Sequence, residues 1–527
     1  MNKLILSLAA LLLGGLTASA GANVYATGLK YEKAENGDYT FSYTLNVAAT
    51  AVNILIYDAN GNVAKTITSD GLVQGINTFT TQLPLEIGNY SWAVKATAES
   101  TEGQITAVAT PKDMAAYPGT DLVWGRLRGV DVNNDPESEW FGNVYITGTP
   151  SSSGTYAGVL VLNSNMLDAV TNKTPGVPYA GGITWPGQSS PNDACVAESG
   201  NVFLADWSDK NSGVFVMDAA DPSTDFTAVF SGVRAADGLI SDNGLAVGGS
   251  TPTACVIGKD EDMHLYTWDE DYPDGGAILR YNLGASDLPW KVAPSKVLGK
   301  TFKLDGADVK VRVTRNANAR IRPDRNGGIW MCQRIDKDFP NDGGYASLLH
   351  FNAEDELDFW TDEFTTTNTG ALAVNHDGSM IAVATPDGIK IFDVTFNEGN
   401  VPSIKAQGSV FALSNSNIFG IGFDYAMNIY AALSGSGIYV YALPKADNSC
   451  EVPANNFIEI KETSAIADVD AEGKLVYRDG VIRSAVPAVV YTAAGVKVAE
   501  GTEIAADALA GGVYIVRAGS ETLKIVK

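Results

Sequence analysis

Two acidic stretches hold the residues best suited to chemistry. Residues 268–276 read WDEDYPDGG and residues 335–344 read IDKDFPNDGG, carboxylates and an aromatic ahead of a diglycine, twice in one chain. Asp269 with Asp271, and Asp336 with Asp338, offer the hard oxygens that calcium collects in groups of six to eight. Neither run completes a calcium loop of the EF-hand type: Arg280 and Ser347 stand where its bidentate glutamate belongs, and proline takes the fifth position. A calcium site, a solvated acidic turn and direct ligand contact all stay open. Trp268, Tyr272 and Phe339 sit among these acids, with Trp185 and Trp207 in related loops. Aromatic faces beside carboxylates suit carbohydrate, whose rings have apolar faces and hydroxyl donors. They equally suit a hairpin packing its own base.

Other catalytic groups are sparse. The four cysteines, Cys195, Cys255, Cys332 and Cys450, form no C-x-x-C and no Cys-His zinc spacing. Buried thiols acting as small hydrophobes are expected. His264, His350 and His376 are scattered over two predicted strands and a turn, which argues against a multi-histidine metal site. Neither a G-x-S-x-G elbow nor a phosphate-binding glycine loop occurs.

A repeat positions these residues. A turn followed by a short β run recurs as FGNVYITG, SGNVFLAD, EDMHLYTW, NGGIWMCQ, DGSMIAVA and YAMNIYAA, each followed by a second run: GVLVLN, GVFVMD, AILRYN, SLLHFN, GIKIFD and GIYVYA. Six units at a spacing of about 57 residues predict a six-bladed β-propeller over 116–446. GNVFLADWSDKNSGVFVMD and RGVDVNNDPESEWFGNVYIT resemble blades of the NHL and SMP-30-like propellers. For lactonases and lyases of that kind the resemblance implies one channel metal held by Glu, Asn and Asp; Asp131, Asn133, Asp193 and Glu198 are the positions here. A propeller hides its edge by borrowing a strand from the N-terminal side, and 121–124 (DLVW) is the expected closing strand.

Aligning the inner strands places Gly129, Ala194, Ala254, Arg320, Ala371 and Gly420 in one column, so five blades have a small residue where blade four has a guanidinium. Arg322 shares its parity. Arginine stays charged, so burial demands a carboxylate or an anionic ligand. An internal ion pair, with Asp131 as the suggested partner, and a sugar-acid contact in the channel are the two readings. The hairpin joining second and third strands emerges where inner strands begin. It is long in blades one to four and curt in blades five and six (TPDG, SGSG), which marks one side of that face as a ligand rim.

The flanks give an address. Residues 1–20 order a cation, an apolar run and an Ala-Ser-Ala exit, as a secretory signal peptide does. Residues 23–112 alternate in short strands, and VNILIYDANGNVAKTI with GLVQGINTFTTQLPLEIGNYSWAVKA resembles the immunoglobulin-like domain of flagellar-hook-capping proteins and of secreted Bacteroidetes proteins. A linker is expected over 447–455. In 456–527, VVYTAAGVKVAEG with LAGGVYIVRAGSETLKIVK resembles the C-terminal sorting domain of type IX secretion cargo. That resemblance implies the type IX secretion machinery as partner and the outer-membrane surface or the medium as destination.

The chain carries 36 basic and 61 acidic residues, a net charge of −25. Such a charge excludes nucleic acid and anionic membrane as partners. No run apart from the leader approaches the roughly 20 apolar residues of a membrane span. The expectation is therefore an all-β, monomeric, exported binding protein: a six-bladed propeller flanked by an Ig-like sandwich and a small C-terminal sandwich. Its ligand would be a glycan or protein, met by Trp207, Trp268, Asp269, Asp271, Tyr272, Arg320, Arg322, Asp336, Asp338 and Phe339. A metal-dependent lactonase- or lyase-like enzyme is the alternative.

Overall fold

The computed structural model describes residues 21–102, 106–109, 126–149, 157–165, 178–186, 190–272, 276–284, 293–312, 318–336, 340, 343–367, 369–410, 417–461 and 475–527. The leader, 121–124, Asp338 and Phe339 lie outside them. Two compact units divide the chain at Ile460/Lys461.

The propeller occupies most of the first unit. Blade one pairs Arg126–Val132, Val144–Thr149 and Gly158–Leu162; blade two Asp193–Val196, Val202–Asp206, Ser212–Met217 and Thr227–Gly232. Blade three pairs Thr253–Ile257, His264–Asp269, Ala277–Asn282 and Lys296–Gly299; blade four Ala319–Pro323, Ile329–Gln333, Leu348–Phe351 and Leu357–Thr361. Blade five pairs Leu372–Val374, Met380–Thr385, Gly388–Phe396 and Pro402–Val410. Blade six contributes Ile418–Phe423, Asn428–Leu433 and Gly437–Ala442. Each inner strand packs on the next, and the sixth returns to the first. Strands such as VFLAD, IWMCQ and NIYAAL are buried at every position because both faces of a blade meet a neighbouring blade.

The closing strand differs from expectation. Blade six is completed by Thr106–Ala109, which runs antiparallel to Gly437–Ala442, not by 121–124. A TAVA segment supplies the ladder partners that an open edge lacks, and it follows directly on the preceding domain.

That domain is a two-sheet sandwich. One sheet orders Ala26–Lys33, Asp38–Leu45 and Gly75–Gln82; the other orders Ser449–Pro453, Gly88–Thr97, Ala51–Tyr57 and Val63–Ser69. Asp38–Leu45 alternates half-buried and buried residues, the period-two pattern of a sheet with one face on a core. Residues 447–455 are therefore no linker: Ser449–Pro453 pairs with Gly88–Thr97, as Ile458–Ile460 does further along the same strand. The propeller is inserted between two strands of one sandwich sheet. Buried amides fasten the junction. Asn23 donates to the carbonyls of Met427 and Leu443, while Asn428 and Asn448 accept from the N–H groups of Asn23 and Val24.

The second unit, Lys461–Lys527, is a five-stranded sheet. Val481–Thr492 pairs Val476–Arg478, Lys497–Ala505 and Val513–Ala518, and the last of these pairs Glu521–Val526. Ile482, Val490, Tyr514, Val516 and Ile525 form its core.

Candidate functional site

The start of each inner strand lies beside the end of its second strand, as Thr253 pairs Trp268 and Ala319 pairs Gln333, so the strand-two-to-three hairpins surround the channel mouth on one face. Inner strands crowd there. A Cβ on Gly129 would lie 2.7 Å from the Ala194 nitrogen, and one on Gly420 2.4 Å from the Arg128 carbonyl oxygen.

Arg320 breaks the small-residue column by filling the axis. It is 0% exposed; Nη1 donates to the carbonyls of Pro252 and Ala319 at 3.1 Å, and Nη2 to those of Asn192 at 3.0 Å and Phe419 at 3.4 Å. One side chain thus ties blades two, three, four and six. The ion-pair partner is Asp193, not Asp131. Its carboxylate takes a fork from Arg322 at 3.0 and 2.8 Å, lies 3.3 Å from Arg320 Nε and accepts from Thr253 Oγ1 at 2.7 Å. Burial alone would raise the Asp193 pKa, but the two guanidinium groups hold it below the usual carboxylate range. Burial pushes the Arg322 pKa down, but the charge and hydrogen bonds of Asp193, with the nearby charge of Asp131, together outweigh it and the net shift is upward. Asp131 instead accepts the N–H groups of Val132 and Val196.

The resemblance to lactonases implies a channel metal, and the four matching residues do not fit one. Asp193 belongs to the arginines. Asp131 caps strand N–H groups, Asn133 accepts from Asp135 N–H and donates to Ser138 Oγ, and Glu198 accepts from Gly258 N–H. Arg322 puts positive charge beside Asp193 and Asp131.

The rim corrects several expectations. Trp268 is 0% exposed and packs with Tyr266, Val309 and Ala346 between blades, so it cannot meet a ligand. Asp269 is also fully buried: its Oδ1 accepts the N–H groups of Ser250, Asp271 and Tyr272, and burial pushes its pKa up to about 7. It is the staple of the WDEDYPDGG hairpin, as Asp206, which accepts Ser208 N–H, is in blade two. Tyr272 is half-buried against a different cluster, the one between blades two and three that holds Phe230 and Tyr281. Asp271 pairs with Arg234 at 2.8 Å, and Arg234 also grips Asp209. Asp336 pairs with Arg334 at 2.6 Å. Among the described residues, Asp271 and Asp336 are thus each engaged by an arginine and Asp269 Oδ1 by three backbone donors.

Among the described rim residues, those that stay available lie between blades two and three. Trp207 is half-buried and donates Nε1 to Ser250 Oγ at 2.6 Å and Glu270 Oε2 at 3.2 Å. The Asp209 side chain is 86% exposed and that of Asp271 33% exposed. Ser250, Glu270 and Arg234 were not foreseen. Ser250 and Arg234 reach the rim from outside the hairpins, and nothing in their own sequence context marks them.

No known protein family matches the chain, and no curated protein does. Solved structures show a likeness of fold. One is a protein of unknown function from Bacteroides thetaiotaomicron, 12% identical with a TM-score of 0.38; the match covers 80% of this chain and 98% of that one. Another, an auxiliary nutrient binding protein from the same organism, is 7% identical with a TM-score of 0.37, covering 77% and 94%. A gluconolactonase from Xanthomonas campestris is 12% identical with a TM-score of 0.30, covering 67% and 90%. The likeness is to β-propeller chains, and at these identities and scores it carries nothing about what this one binds.

Proposed function

We propose that the chain is an exported, non-catalytic binding protein whose propeller meets an extracellular glycan on the face carrying the long hairpins. The observation that supports this reading is the closed axis. Arg320 occupies it, and Asp193, the acid best placed for a channel metal, is committed to Arg320 and Arg322. Ligand contact then falls to Trp207, Asp209, Arg234, Glu270 and Asp271 on blades two and three. An indole beside carboxylates of fixed geometry offers a sugar a stacking face and acceptors for its hydroxyls.

The test is an array of plant, host and bacterial glycans probed with the mature protein, with its metal content measured in parallel. Binding that falls by about tenfold or more in Trp207→Ala, roughly the 1.4 kcal/mol of one good contact, supports the reading. A stoichiometric channel metal together with lactone hydrolysis sinks it and favours the enzyme.

The address is part of the same proposal. The leader 1–20 and the sorting-domain resemblance of 456–527 support export through the type IX machinery. Because Ile458–Ile460 belongs to the sandwich, the cleaner deletion starts at Lys461. Cells carrying it should retain the protein in the periplasm; surface display of the truncated chain would refute the sorting role.

A further inference from the structure

The rim between blades two and three carries more acid than its ion pairs neutralise. Segments 206–211 and 268–272 of the two hairpins build it together with 233–250, the connection between the blades. The connection packs tightly on the second hairpin, since a Cβ on Gly238 would lie 2.4 Å from Asp271 Cγ. These three segments hold seven carboxylates against two cations, Lys210 and Arg234, and the stretches that adjoin them in sequence, 187–189 (GQS) and 273–275 (PDG), contain no Lys, Arg or His. Arg234 is shared: its guanidinium pairs with Asp271 Oδ2 and Asp209 Oδ1, and its backbone N–H donates to the Asp209 carbonyl at 3.2 Å. Each acid keeps an oxygen that Arg234 does not take, and the two side chains are 86% and 33% exposed for Asp209 and Asp271. Glu270 is spent differently. Its Oε2 accepts from Trp207 Nε1 and Ser250 Oγ, both at 3.2 Å, and Ser250 Oγ accepts from the indole at 2.6 Å, which fixes the plane of Trp207 beside the acids. A second observation comes from the bases of the hairpins. Asp206 and Asp269 are both 0% exposed, and Oδ2 of each has no hydrogen-bond partner. Burial pushes Asp206 up to about 6 and Asp269 up to about 7; the Arg234 charge pulls the first back and the Asp271 charge pushes the second further, so both face the charged groups of the cleft. A buried carboxylate oxygen without a donor is stabilised by a positive charge brought near it.

We infer that the cleft walled by Trp207, Asp209 and Asp271 takes the ammonium group of an amino sugar, a hexosamine whose nitrogen carries no acetyl group, in the glycan met by this face. The inference rests on the glycan-binding reading and adds its substrate class. The sugar ring stacks on the indole, and the ammonium, one bond from that ring, offers three N–H donors to the oxygens that Arg234 leaves over. A cation beside an indole gains further from the ring quadrupole. Calcium would need six to eight oxygens at once, whereas Arg234 holds one oxygen of each acid. An ammonium needs only the other. The net charge of −25 also draws cationic chains ahead of neutral ones from a distance.

Titration calorimetry of the mature protein with tetraglucosamine and with its fully N-acetylated counterpart, in mildly acidic buffer where the amine is charged, tests the assignment without any variant. The amine should bind at least about tenfold tighter than the acetylated tetramer, and the advantage should shrink as salt rises from low to physiological strength. Asp209→Asn, a change at an 86% exposed side chain, should bring the two affinities to within about threefold of each other; a thermal scan checks that the variant is folded. Equal affinity for the two tetramers, or an amine preference untouched in folded Asp209→Asn, overturns the amino-sugar assignment. So does a tetralysine peptide that binds as tightly as the amine, because charge alone would then suffice. Acetylated-tetramer binding that is lost in Trp207→Ala would at the same time uphold the glycan reading. Binding of neither tetramer overturns the amino-sugar assignment, and an array that retains no glycan overturns the glycan reading with it.

Discussion

Asp193→Ala is expected to destabilise the propeller by about 3–5 kcal/mol, the usual loss when one member of a buried ion pair is removed. Arg320 is 0% and Arg322 3% exposed, and this carboxylate is the ion-pair partner of both. Without it two like charges would remain in the channel, one held only by the dipoles of carbonyl groups. Arg320→Met should cost less. It removes a charge along with the donors, leaves the Arg322–Asp193 fork intact, and exposes four carbonyls to loss of a partner. Urea unfolding followed by tryptophan fluorescence reports the propeller, since 330 and 268 are buried tryptophans of its blades. Because the folded pKa of Asp193 is depressed, its contribution is present above the unfolded value of about 3.9 and is lost as pH falls through the folded one. Wild type and Asp193→Ala should therefore converge only in acid. A difference at neutral pH within about 0.5 kcal/mol, the size of an ordinary surface substitution, would mean that water solvates the arginines and the axis is not sealed.

The repeat, the blade number and the odd arginine could all be read from the sequence, because each rests on local periodicity or on comparing one blade with another. The inner strands align on Asn133, Glu198, Gly258, Asp324, Asn375 and Asp424. At four of these, Asn133, Asp324, Asn375 and Asp424, the side chain accepts backbone N–H groups that follow its inner strand, whereas Glu198 accepts the N–H of Gly258 on the next blade. What parity cannot show is exposure. In a blade both faces are covered, so Trp268 and Asp269, placed on the rim by their position at a hairpin, are instead its buried base. The choice of Asp193 over Asp131 depends on the stagger between neighbouring blades, which no single strand encodes. Ser449–Pro453 was hidden for a different reason. Its partner strand holds Lys95 opposite Glu451, across the whole propeller, and a five-residue run beside a proline has no local mark of such a pairing.

The second large effect is expected at His350, inside blade four. It lies in Leu348–Phe351 of blade four, 1% exposed, with Nδ1 2.6 Å from Asp358 Oδ1 and Nε2 2.7 Å from Asp324 Oδ2. The Trp330 ring lies 4.6 Å away and that of Phe396 5.8 Å. With a carboxylate at each nitrogen, both must donate, and only the imidazolium can do so. Burial lowers the His350 pKa, but hydrogen bonds to Asp324 and Asp358 outweigh it and the net shift is upward. The folded protein therefore holds this proton more tightly than the unfolded chain, whose histidine titrates near 6.5. The stabilisation is complete below that value and drains away as pH rises through the folded pKa. His350→Gln supplies one donor group in place of two opposed ones and leaves the buried Asp324 and the half-buried Asp358 poorly compensated, at a cost of about 3 kcal/mol in mildly acidic solution. Unfolding midpoints of both proteins measured from pH 5 to pH 9 should show the gap between them narrowing toward the alkaline end. A gap that stays constant, or widens with pH, would mean that His350 is neutral in the fold and that one of the two aspartic acids carries the proton instead.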